Sequence, residues 1–569
     1  MVDQLWTLPE VIKHWAQQTP DRESFIFVNK HGRYCTLNAG DIYVLAGRFA
    51  SRLRRCGFNL GDVIANGLPN CPERVITDFG TVMAGCVTLN CQIIEKDGGD
   101  FWNSARVSRC KGLIFPGQGD SPACRLFSKF TQGNSQGLAG YRDMALPQAE
   151  HITKAFVVLR QPIPTKGGPT NSLLDDEGSK QPVSSDGQES FLKSLGEDTE
   201  EIFVTGCQPD DDAYIFTTSG STGPCKLVPR THRELLRMAR GYSSPAQTTY
   251  FNDRQLSWLG GFPFDYFRCC TPRLLQDVLG GDQAQTVHEL WALLERERCD
   301  GAFLAPSDVL DLIKEFEGRG QDFKLKFITT AGVCLRQSAM AALGHITDSI
   351  TNMYASTETG IMALLSVKDA SEFTDCACGR PPDGVQIRVV DDKMEDVPRG
   401  QEGSVLVKSH NMFRHYYNYT PPEPAFTPDG WFIIRDRGVM DKDGTLTVTC
   451  RQGDVVSQGV TLIYFSWPEV VLGRCPDVRD VTVVGVKDSS GDDVMYACVV
   501  ARPGSGLTEE RLLDFYDQNF MQPLHKSMLK PQIRGVLLYE ALPFNPVGKV
   551  DKRQLRADAS TRLAEQHLT

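Results

Sequence analysis

The chain has 569 residues, and its 60 lysines and arginines against 71 aspartates and glutamates give a formal net charge of −11. This length exceeds what one hydrophobic core serves and predicts two or more domains, since a domain usually holds roughly 100–200 residues. The acidic balance offers no basic stripe of the kind that a phosphate backbone requires, which argues against nucleic acid as a partner.

The start of the chain, MVDQLWTLPEVIKHWAQQTPD, carries acidic residues and lacks the apolar stretch of a signal peptide. No window approaches the ~18 uninterrupted apolar residues of a membrane span. The 18 cysteines show no paired CxxC motifs and no histidines at zinc spacing, a distribution typical of reduced thiols. These features predict a cytoplasmic protein without a membrane span.

Helical and strand patterns alternate in the first part of the chain. A helix is predicted over residues 41–57, ending at Gly57. Its apolar face carries Ile42, Leu45, Phe49 and Leu53. The apolar run 62–70 predicts a buried strand, and residues 73–90 predict a second helix that leads to another strand. This βαβ rhythm predicts a mostly parallel sheet.

Between residues 160 and 201 the composition shifts to proline, glycine, serine and acidic residues. So few apolar side chains cannot offset the entropy lost when the chain is ordered. The segment is therefore predicted to be a mobile loop or insertion.

Two further predicted strands end in loops that contain glycine. One leads into residues 217–226, TTSGSTGPCK, and the other lies in residues 323–332, FKLKFITTAG. Ligands of open parallel sheets bind beyond the carboxyl ends of strands, so both loops are candidate ligand contacts. The first loop lacks the spacing of a Walker motif, and on its own it could equally be a linker.

The last part of the chain predicts two smaller units. Short strands separated by Gly and Asp-Gly turns between residues 403 and 451 favour a small antiparallel unit. A boundary is expected at 451–454, which divides the chain into an N-terminal domain over 1–450 and a C-terminal domain over 454–569. The strands and helix that follow this boundary predict a compact α+β unit.

Four further segments decide between these interpretations. They are MYASTETG (353–360), DGWFIIRDRGVMDKDG (429–444), CRQGD (450–454) and NPVGKVDK (545–552). In this order after a Ser/Gly/Lys loop, they resemble the adenylate-forming (AMP-binding) superfamily of acyl-CoA synthetases, luciferases and peptide-synthetase adenylation domains. The layout is most similar to that of a stand-alone acyl-CoA synthetase.

The resemblance implies an α/β fold. A large N-terminal domain would contain two βαβ-type sheet subdomains and a small β-barrel, and a small mobile α+β domain would follow it. The segment 451–454 would then be the hinge, with Gly453 as its pivot because glycine tolerates a large φ/ψ change.

The resemblance also implies a role for the Ser/Gly loop. Its backbone amides and hydroxyls would surround the β- and γ-phosphates of ATP, and Lys226 would supply a compact positive charge. The residues of this cradle are Thr218, Ser219, Gly220, Ser221, Thr222 and Gly223.

In MYASTETG, Tyr354 would stack on adenine and Thr357 would hydrogen-bond to the α-phosphate. Glu358 would hold Mg²⁺, a hard cation that prefers carboxylate and phosphate oxygens. Gly332 resembles the glycine that lets the nucleotide base approach the backbone.

Asp436 lies where the family has Thr-Gly-Asp, and its carboxylate would bind the ribose hydroxyls. The triplet here is Ile434-Arg435-Asp436, so the aspartate is kept without its two usual neighbours. Arg451 matches an arginine that makes a second contact with the ribose or a phosphate.

Lys549, in PVGKVDK, is implied to be the main catalytic residue. Its ammonium would bridge the substrate carboxylate and the α-phosphate, where charge builds up as oxygen attacks phosphorus.

The implied function is activation of a carboxylic acid by ATP to an acyl-adenylate, with transfer to the thiol of CoA. The chain ends 20 residues after Lys549, which leaves no room for a carrier domain and favours CoA as acceptor. An amino-acid adenylating enzyme that delivers to a carrier-protein pantetheine is an alternative, because Asp265 in GGFPFDYF could pair with an α-amino group. Asp265 could equally bond to loop backbone.

A third possibility is a nucleotide-binding protein without catalysis, suggested by departures from the family motifs. One such departure is GVTLIYFSWPE (459–469), where relatives read Gly-Gly-x-x-Val-x-Pro-Ala-Glu.

Overall fold

The structure is a computed structural model of the full chain. It describes residues 5–91, 93, 99–118, 121–160, 190–197, 202–218, 225–241, 248–279, 283–284, 286–316, 322–331, 343–369, 373, 377–421, 424–451, 455–458, 461–488, 493–520, 531–544 and 550–566.

The described ranges contain thirteen α-helices, among them the predicted helices near residues 41–57 and 73–90. They are α1 (Leu8–Gln18), α2 (Ala39–Arg55), α3 (Pro72–Met83), α4 (Gly99–Ser108), α5 (Pro122–Phe127), α6 (Phe191–Gly196), α7 (His232–Gly241), α8 (Phe264–Cys269), α9 (Val287–Arg296), α10 (Pro306–Phe316), α11 (Ser466–Leu472), α12 (Glu509–Asn519) and α13 (Lys552–Gln566), with short 3₁₀ helices at Ser128–Phe130 and Leu259–Gly261. Across these ranges, no helix combines the length and the apolar character that a membrane crossing needs.

The strands of the first part of the chain, with the short connections expected of βαβ units, run up to residue 367. They are β1 (Glu23–Asn29), β2 (Gly32–Asn38), β3 (Val63–Asn66), β4 (Val87–Asn90), β5 (Gly112–Pro116), β6 (Tyr141–Asp143), β7 (Lys154–Val158), β8 (Asp212–Thr217), β9 (Leu227–Thr231), β10 (Tyr250–Asn252), β11 (Arg273–Gln276), β12 (Gly301–Phe303), β13 (Phe327–Ala331), β14 (Ile350–Ser356) and β15 (Gly360–Val367).

The remaining strands pair mainly with their neighbours in sequence. They are β16 (Ala377–Gly379), β17 (Val385–Val390), β18 (Glu402–Ser409), β19 (Phe432–Met440), β20 (Leu446–Arg451), β21 (Val455–Gln458), β22 (Thr461–Tyr464), β23 (Val478–Lys487), β24 (Asp493–Ala501) and β25 (Ile533–Tyr539).

The chain divides into two compact units. Unit one comprises Met1–Gly220, Pro224–Asp375 and Ser409–Pro422, and unit two comprises Ser221–Gly223, Cys376–Lys408 and Glu423–Thr569. Unit two thus includes strands β16 to β20 as well as the C-terminal strands. The domain boundary and hinge at 451–454 stay predictions.

Two sheets organise unit one. In the described residues, one has eight strands in the order β15-β14-β13-β12-β10-β11-β1-β2, and the other has seven in the order β6-β7-β5-β3-β4-β8-β9. The inner strands pair in parallel, and the outermost pair at each end is antiparallel. The predicted α/β architecture with two mostly parallel sheets is confirmed.

Helix α2 shows how the sequence pattern produces this packing. Its side chains Ile42, Leu45, Phe49 and Leu53 are at most 1% exposed and belong to one apolar core. Asn38 caps its first turn through a bond from the Asp41 amide, and Gly57 beyond its end has a φ of +77°. The cap satisfies an amide that the helix leaves unpaired, and glycine allows the left-handed turn that ends it.

Unit two contains the predicted antiparallel and α+β parts. Strands β16 to β20 form a sheet in the order β16-β20-β19-β18-β17, and β23-β24-β25 form a second sheet. The latter mixes one antiparallel pair with one parallel pair. Its apolar face packs with residues of α11 and α12, so the C-terminal strands have a core of their own.

The loop prediction for residues 160–201 was wrong for α6. This helix buries Phe191, Leu192 and Leu195, and Phe191 lies 5.7 Å from the ring of Phe49 in α2. The three large apolar side chains of FLKSL pack into a core that the polar composition of the whole segment did not indicate. Residues 161–189 and 198–201 lie outside the described residues.

Candidate active site

The loop that follows β8 is the end of a hairpin. Strands β8 and β9 pair antiparallel, with Thr217 opposite Leu227. The Thr218 amide donates to the Lys226 carbonyl over 2.9 Å, and the Lys226 amide donates to Thr218 Oγ1 over 3.0 Å. The base of the loop is therefore closed, and Lys226 is fixed at its C-terminal side. The expected cradle residues 219–223 lie outside the described part of the chain.

Thr357 and Glu358 lie in the turn that joins β14 to β15 at the edge of the eight-stranded sheet. Ser356 pairs with Gly360 across the turn, and the hydroxyls of Ser356 and Thr359 are 2.9 Å apart. Such side chains supply the hydrogen bonds that a turn leaves unmade. Gly360 has a φ of +71°, a left-handed backbone conformation that favours glycine.

A bridging segment, defined as residues 411–417 of unit one, connects the two hairpins. The Phe413 amide donates to the Glu358 carbonyl over 2.7 Å, and the Tyr417 amide donates to the Leu227 carbonyl over 2.8 Å. Two loops at the edges of different sheets are thus tied by backbone hydrogen bonds to one short stretch of chain.

Tyr416, in this bridging segment, contacts both charged candidates. Its hydroxyl donates to Glu358 Oε1 over 3.0 Å, and the Lys226 ammonium lies 4.8 Å from the centre of its ring. Lys226 and Glu358 were predicted separately, and the structure brings them to one side chain. The sequence analysis missed Tyr416, although the aromatic cluster HYYNY was a usable signal.

The Glu358 carboxylate fits the predicted role as a Mg²⁺ ligand. It is half-buried, and across the described ranges its one hydrogen-bond partner is the neutral Tyr416 hydroxyl rather than a lysine or arginine. A carboxylate with an oxygen to spare suits Mg²⁺, a cation that takes one or two carboxylates and completes its shell with phosphate oxygens and water.

Arg230 is a second residue that sequence reasoning missed. It lies fully buried in β9, and its two terminal nitrogens donate to the Asn411 carbonyl over 2.7 Å and to the Thr357 carbonyl over 2.6 Å. The side chain therefore holds the acidic turn and the bridging segment against β9, the strand that follows the Ser/Gly loop. An arginine within the buried strand LVPRT was the available signal.

The charge of Arg230 survives its burial. Burial lowers the pKa of its guanidinium to about 10, and the negative charges of Glu234 and Glu358 act in the opposite direction. One Arg230 terminal nitrogen lies 3.9 Å from a Glu234 oxygen. A group with this pKa is a cation at neutral pH, so the acidic turn has a fixed positive charge nearby.

The other predicted residues of unit one have separate surroundings. Tyr354 is half-buried in β14 opposite Ala363, four residues before Glu358 in the chain. Asp265 is 6% exposed in the first turn of α8, and its carbonyl accepts from the Cys269 thiol. Contact of either side chain with a ligand stays a prediction. Gly332 lies outside the described residues.

In unit two, the predicted ribose contacts are neighbours. Asp436 in β19 lies directly opposite Arg451 in β20, and Asp436 is 9% exposed. Residues 15 positions apart in sequence are thus paired by the register of two antiparallel strands. Nucleotide binding by the pair stays a prediction, and Gly453 lies outside the described residues.

Arg435 occupies a backbone conformation that suits glycine. Its φ is +63°, and a bulge surrounds it because Ser404 pairs with Arg437 whereas Leu406 pairs with Ile433. A left-handed conformation costs a residue with a Cβ about 1–2 kcal/mol. Arg435 lies where the family has glycine, and its backbone adopts the left-handed conformation that glycine favours.

Arg435→Gly is expected to be more stable to unfolding than Arg435→Ala by about 1 kcal/mol, because only glycine relieves the left-handed strain. Both variants lose the same side chain beyond Cβ, so their difference isolates the backbone effect. Thermal unfolding measured by calorimetry would show it as a higher midpoint for the glycine variant. An alanine variant that matches or exceeds the glycine variant would contradict the strain.

The predicted catalytic Lys549 lies outside the described residues, but the ends of its loop are visible. Phe544 and Val550 form an antiparallel bridge, and the Asp551 amide donates to the Pro543 carbonyl over 2.8 Å. The loop that carries Lys549 is therefore closed at its base within unit two.

The segment that departs from the family pattern, 459–469, ends in an anchored glutamate. Glu469 Oε1 accepts from the Thr482 hydroxyl over 2.9 Å and from the Val483 amide over 2.8 Å, and Lys552 lies 3.7 Å from the same oxygen. Glu469 thus links α11 to β23 and to the start of α13. A contact of this segment with pantetheine stays a prediction.

The sequence and the fold of this chain are similar to those of known proteins. The AMP-binding enzyme family matches residues 12–417. The crotonobetaine/carnitine–CoA ligase of Proteus mirabilis is 24% identical over 554 residues, which cover 95% of this chain and 97% of that protein. The medium-chain fatty-acid–CoA ligase of Escherichia coli is 26% identical over 582 residues, covering 99% of this chain and 92% of that protein.

Solved structures share the fold. ATP-bound MatB from Rhodopseudomonas palustris superposes with a TM-score of 0.75 at 18% identity, over 98% of this chain and 99% of that one. The o-succinylbenzoate CoA synthetase of Bacillus subtilis, in complex with its acyl-adenylate intermediate, gives 0.73 at 18% identity, over 97% and 99%. Because the family model matches well over half of its length, the chain belongs to the AMP-binding enzyme family.

Proposed function

We propose that the protein is an acid–CoA ligase that forms AMP. An oxygen of the carboxylic acid attacks the α-phosphorus of ATP, and pyrophosphate leaves. The thiol of CoA then attacks the acyl carbonyl, AMP leaves, and the thiol proton is released. The observation that carries this proposal is the contact of Lys226 and Glu358 with the same Tyr416 side chain.

The residues of unit one have distinct roles in the first step. Lys226 supplies positive charge to the phosphates, and Thr357 donates a hydrogen bond to the α-phosphate. Glu358 would hold Mg²⁺, which neutralises phosphate charge when it is bound. Because these groups are held before the substrate arrives, their contribution is preorganised positioning and charge stabilisation.

The residues of unit two complete the proposal. Asp436 and Arg451 bind the ribose and a phosphate, and Lys549 stabilises the charge that develops between the carboxylate and the α-phosphate. The segment 451–454 acts as the hinge that withdraws Lys549 before thiol transfer, so that one site serves two reactions.

ATP–pyrophosphate exchange with a panel of fatty, aryl and amino acids tests the first step. We expect exchange with at least one fatty or aryl acid, and thioester formation when CoA is added. Exchange with amino acids only would support the adenylating enzyme that uses Asp265 for amine recognition. Absence of exchange with every acid, although the nucleotide binds, would favour the binding protein without catalysis.

A cytoplasmic location is also part of the proposal. Fifteen cysteines in the described ranges have free thiols, and burial raises the pKa of Cys56 and of Cys225 to about 11. Protonated, buried thiols are typical of proteins that work in a reducing compartment. Recovery of the endogenous protein from a secreted fraction would contradict it.

A further inference from the structure

We propose that Tyr416 is a positioning residue for adenylation: its hydroxyl orients the Glu358 carboxylate and its ring orients the Lys226 ammonium. The inference rests on the proposed function, because it assigns a task within that same site. It adds a residue to which no motif of the sequence gave a role.

The hydroxyl of Tyr416 restricts the Glu358 side chain. Its bond to Oε1, at 3.0 Å, is the one hydrogen bond to this carboxylate in the described part of the chain. A glutamate on a turn otherwise rotates about three side-chain bonds. Fixing Oε1 sets the plane of the carboxylate, which leaves Oε2 as the oxygen for a cation. A hydrogen bond to a carboxylate is stronger than one between two neutral groups, which suits this task.

The ring of Tyr416 restricts Lys226. The ammonium lies 4.8 Å from the ring centre, within the range in which the negative face of an aromatic ring attracts a cation. Lysine has a flexible four-carbon stem. A contact with the ring restricts its conformations in advance, so less conformational entropy is lost when phosphate binds.

The ring itself is held in place. Tyr416 is 6% exposed, and its ring lies 4.7 Å from the ring of Phe413. The backbone is fixed on both sides by the amides of Phe413 and Tyr417, which donate to Glu358 and Leu227. The bridging segment therefore holds the Tyr416 side chain in position for its contacts with Glu358 and Lys226.

A simpler interpretation is that Tyr416 only fills space between the loops. That interpretation predicts that phenylalanine, with the same ring, serves as well as tyrosine. The positioning role predicts instead that the hydroxyl and the ring have separable effects on metal and on nucleotide.

Two variants separate these effects, Tyr416→Phe and Tyr416→Leu. Mn²⁺ binding is followed by electron paramagnetic resonance in the presence of α,β-methylene-ATP, a probe that cannot release pyrophosphate. Binding of the same nucleotide without metal is measured by calorimetry. The Mg²⁺ requirement and the KM values for ATP and acid come from pyrophosphate exchange.

For Tyr416→Phe we expect Mn²⁺ binding to weaken about 10-fold, because a charge-assisted bond is lost. The Mg²⁺ requirement should rise, while nucleotide binding without metal stays unchanged. Tyr416→Leu should show the same metal defect and, in addition, bind the nucleotide without metal about 3-fold more weakly, because Lys226 loses its ordering contact. The KM for the acid should be unchanged in Tyr416→Phe.

Tyr419→Phe is the matched control. It removes the same hydroxyl oxygen from a tyrosine that lies three positions after Tyr416 and is 43% exposed. It should behave as wild type. Wild-type metal binding in Tyr416→Phe, or an equal loss of every parameter together with a lower unfolding temperature, would overturn the inference. If the wild type shows no exchange with any acid, the proposed function fails, and the Mn²⁺ titration still decides the role of Tyr416.

Discussion

The Lys549→Ala variant is expected to form acyl-adenylate about 10²–10³ times more slowly than wild type, the loss typical when one preorganised donor is removed from a developing negative charge. The residue lies outside the described ranges, so the expectation rests on its place in PVGKVDK and on the closed base of its loop. Negative charge accumulates as the carboxylate oxygen approaches phosphorus, and alanine leaves that charge without its cation.

Pyrophosphate exchange measures this loss directly. Thioester formation from a preformed acyl-adenylate should be nearly unaffected in Lys549→Ala. In the proposed mechanism Lys549 acts in the first step and is withdrawn before the thiol attacks. Undiminished exchange would exclude Lys549 from the first step.

Lys552→Ala is the matched control for this experiment. Lys552 lies 3.7 Å from Glu469 and 5.6 Å from the centre of the Phe465 ring, contacts that hold the start of α13. Its replacement should lower the stability of unit two and leave the rate of adenylation within a few-fold of wild type, since ion pairs of this kind contribute about 0.2–1 kcal/mol.

Arg230→Met is expected to combine the largest loss of stability with a loss of activity. The variant leaves the partly buried carbonyls of Thr357 and Asn411 without these donors and removes the cation beside Glu234. Breaking a buried charged arrangement by removing one partner costs about 3–5 kcal/mol. Because the acidic turn also loses its anchor, we expect exchange to fall about 10²-fold, the effect of a displacement near 1 Å in a catalytic site.

Arg237→Met provides the control for Arg230. Arg237 also donates to a carbonyl just before the bridging segment, that of His410 over 3.0 Å, but this bond is exposed. Its loss should cost about 1 kcal/mol or less, because water replaces the missing partner.

Arg230→Lys should fall between the two, since lysine keeps the charge and loses the fork that reaches two carbonyls. Thermal unfolding and pyrophosphate exchange measure both effects. If Arg230→Met unfolds and exchanges like wild type, the anchoring role is wrong.

Local patterns in the sequence were sufficient for the class of the fold and for elements such as α2. The 3.6-residue spacing of Ile42, Leu45, Phe49 and Leu53 predicted both the helix and its buried face, because a helix of this length must cover one apolar stripe. The Ser/Gly/Lys loop and the acidic motif were recognisable for the same reason: their chemistry is written in consecutive residues.

The connections within the site depended on tertiary structure. Arg230 donates to a carbonyl 127 positions away, and Tyr416 to a carboxylate 58 positions away, so no local pattern marks either residue. The register that sets Asp436 opposite Arg451 and the packing that orders α6 are likewise decided by surfaces distant in sequence. The sequence determined which side chains the protein carries. The packing of the two sheet edges in unit one determined which of these side chains lie together, because hydrogen bonds and buried charges depend on distance in space.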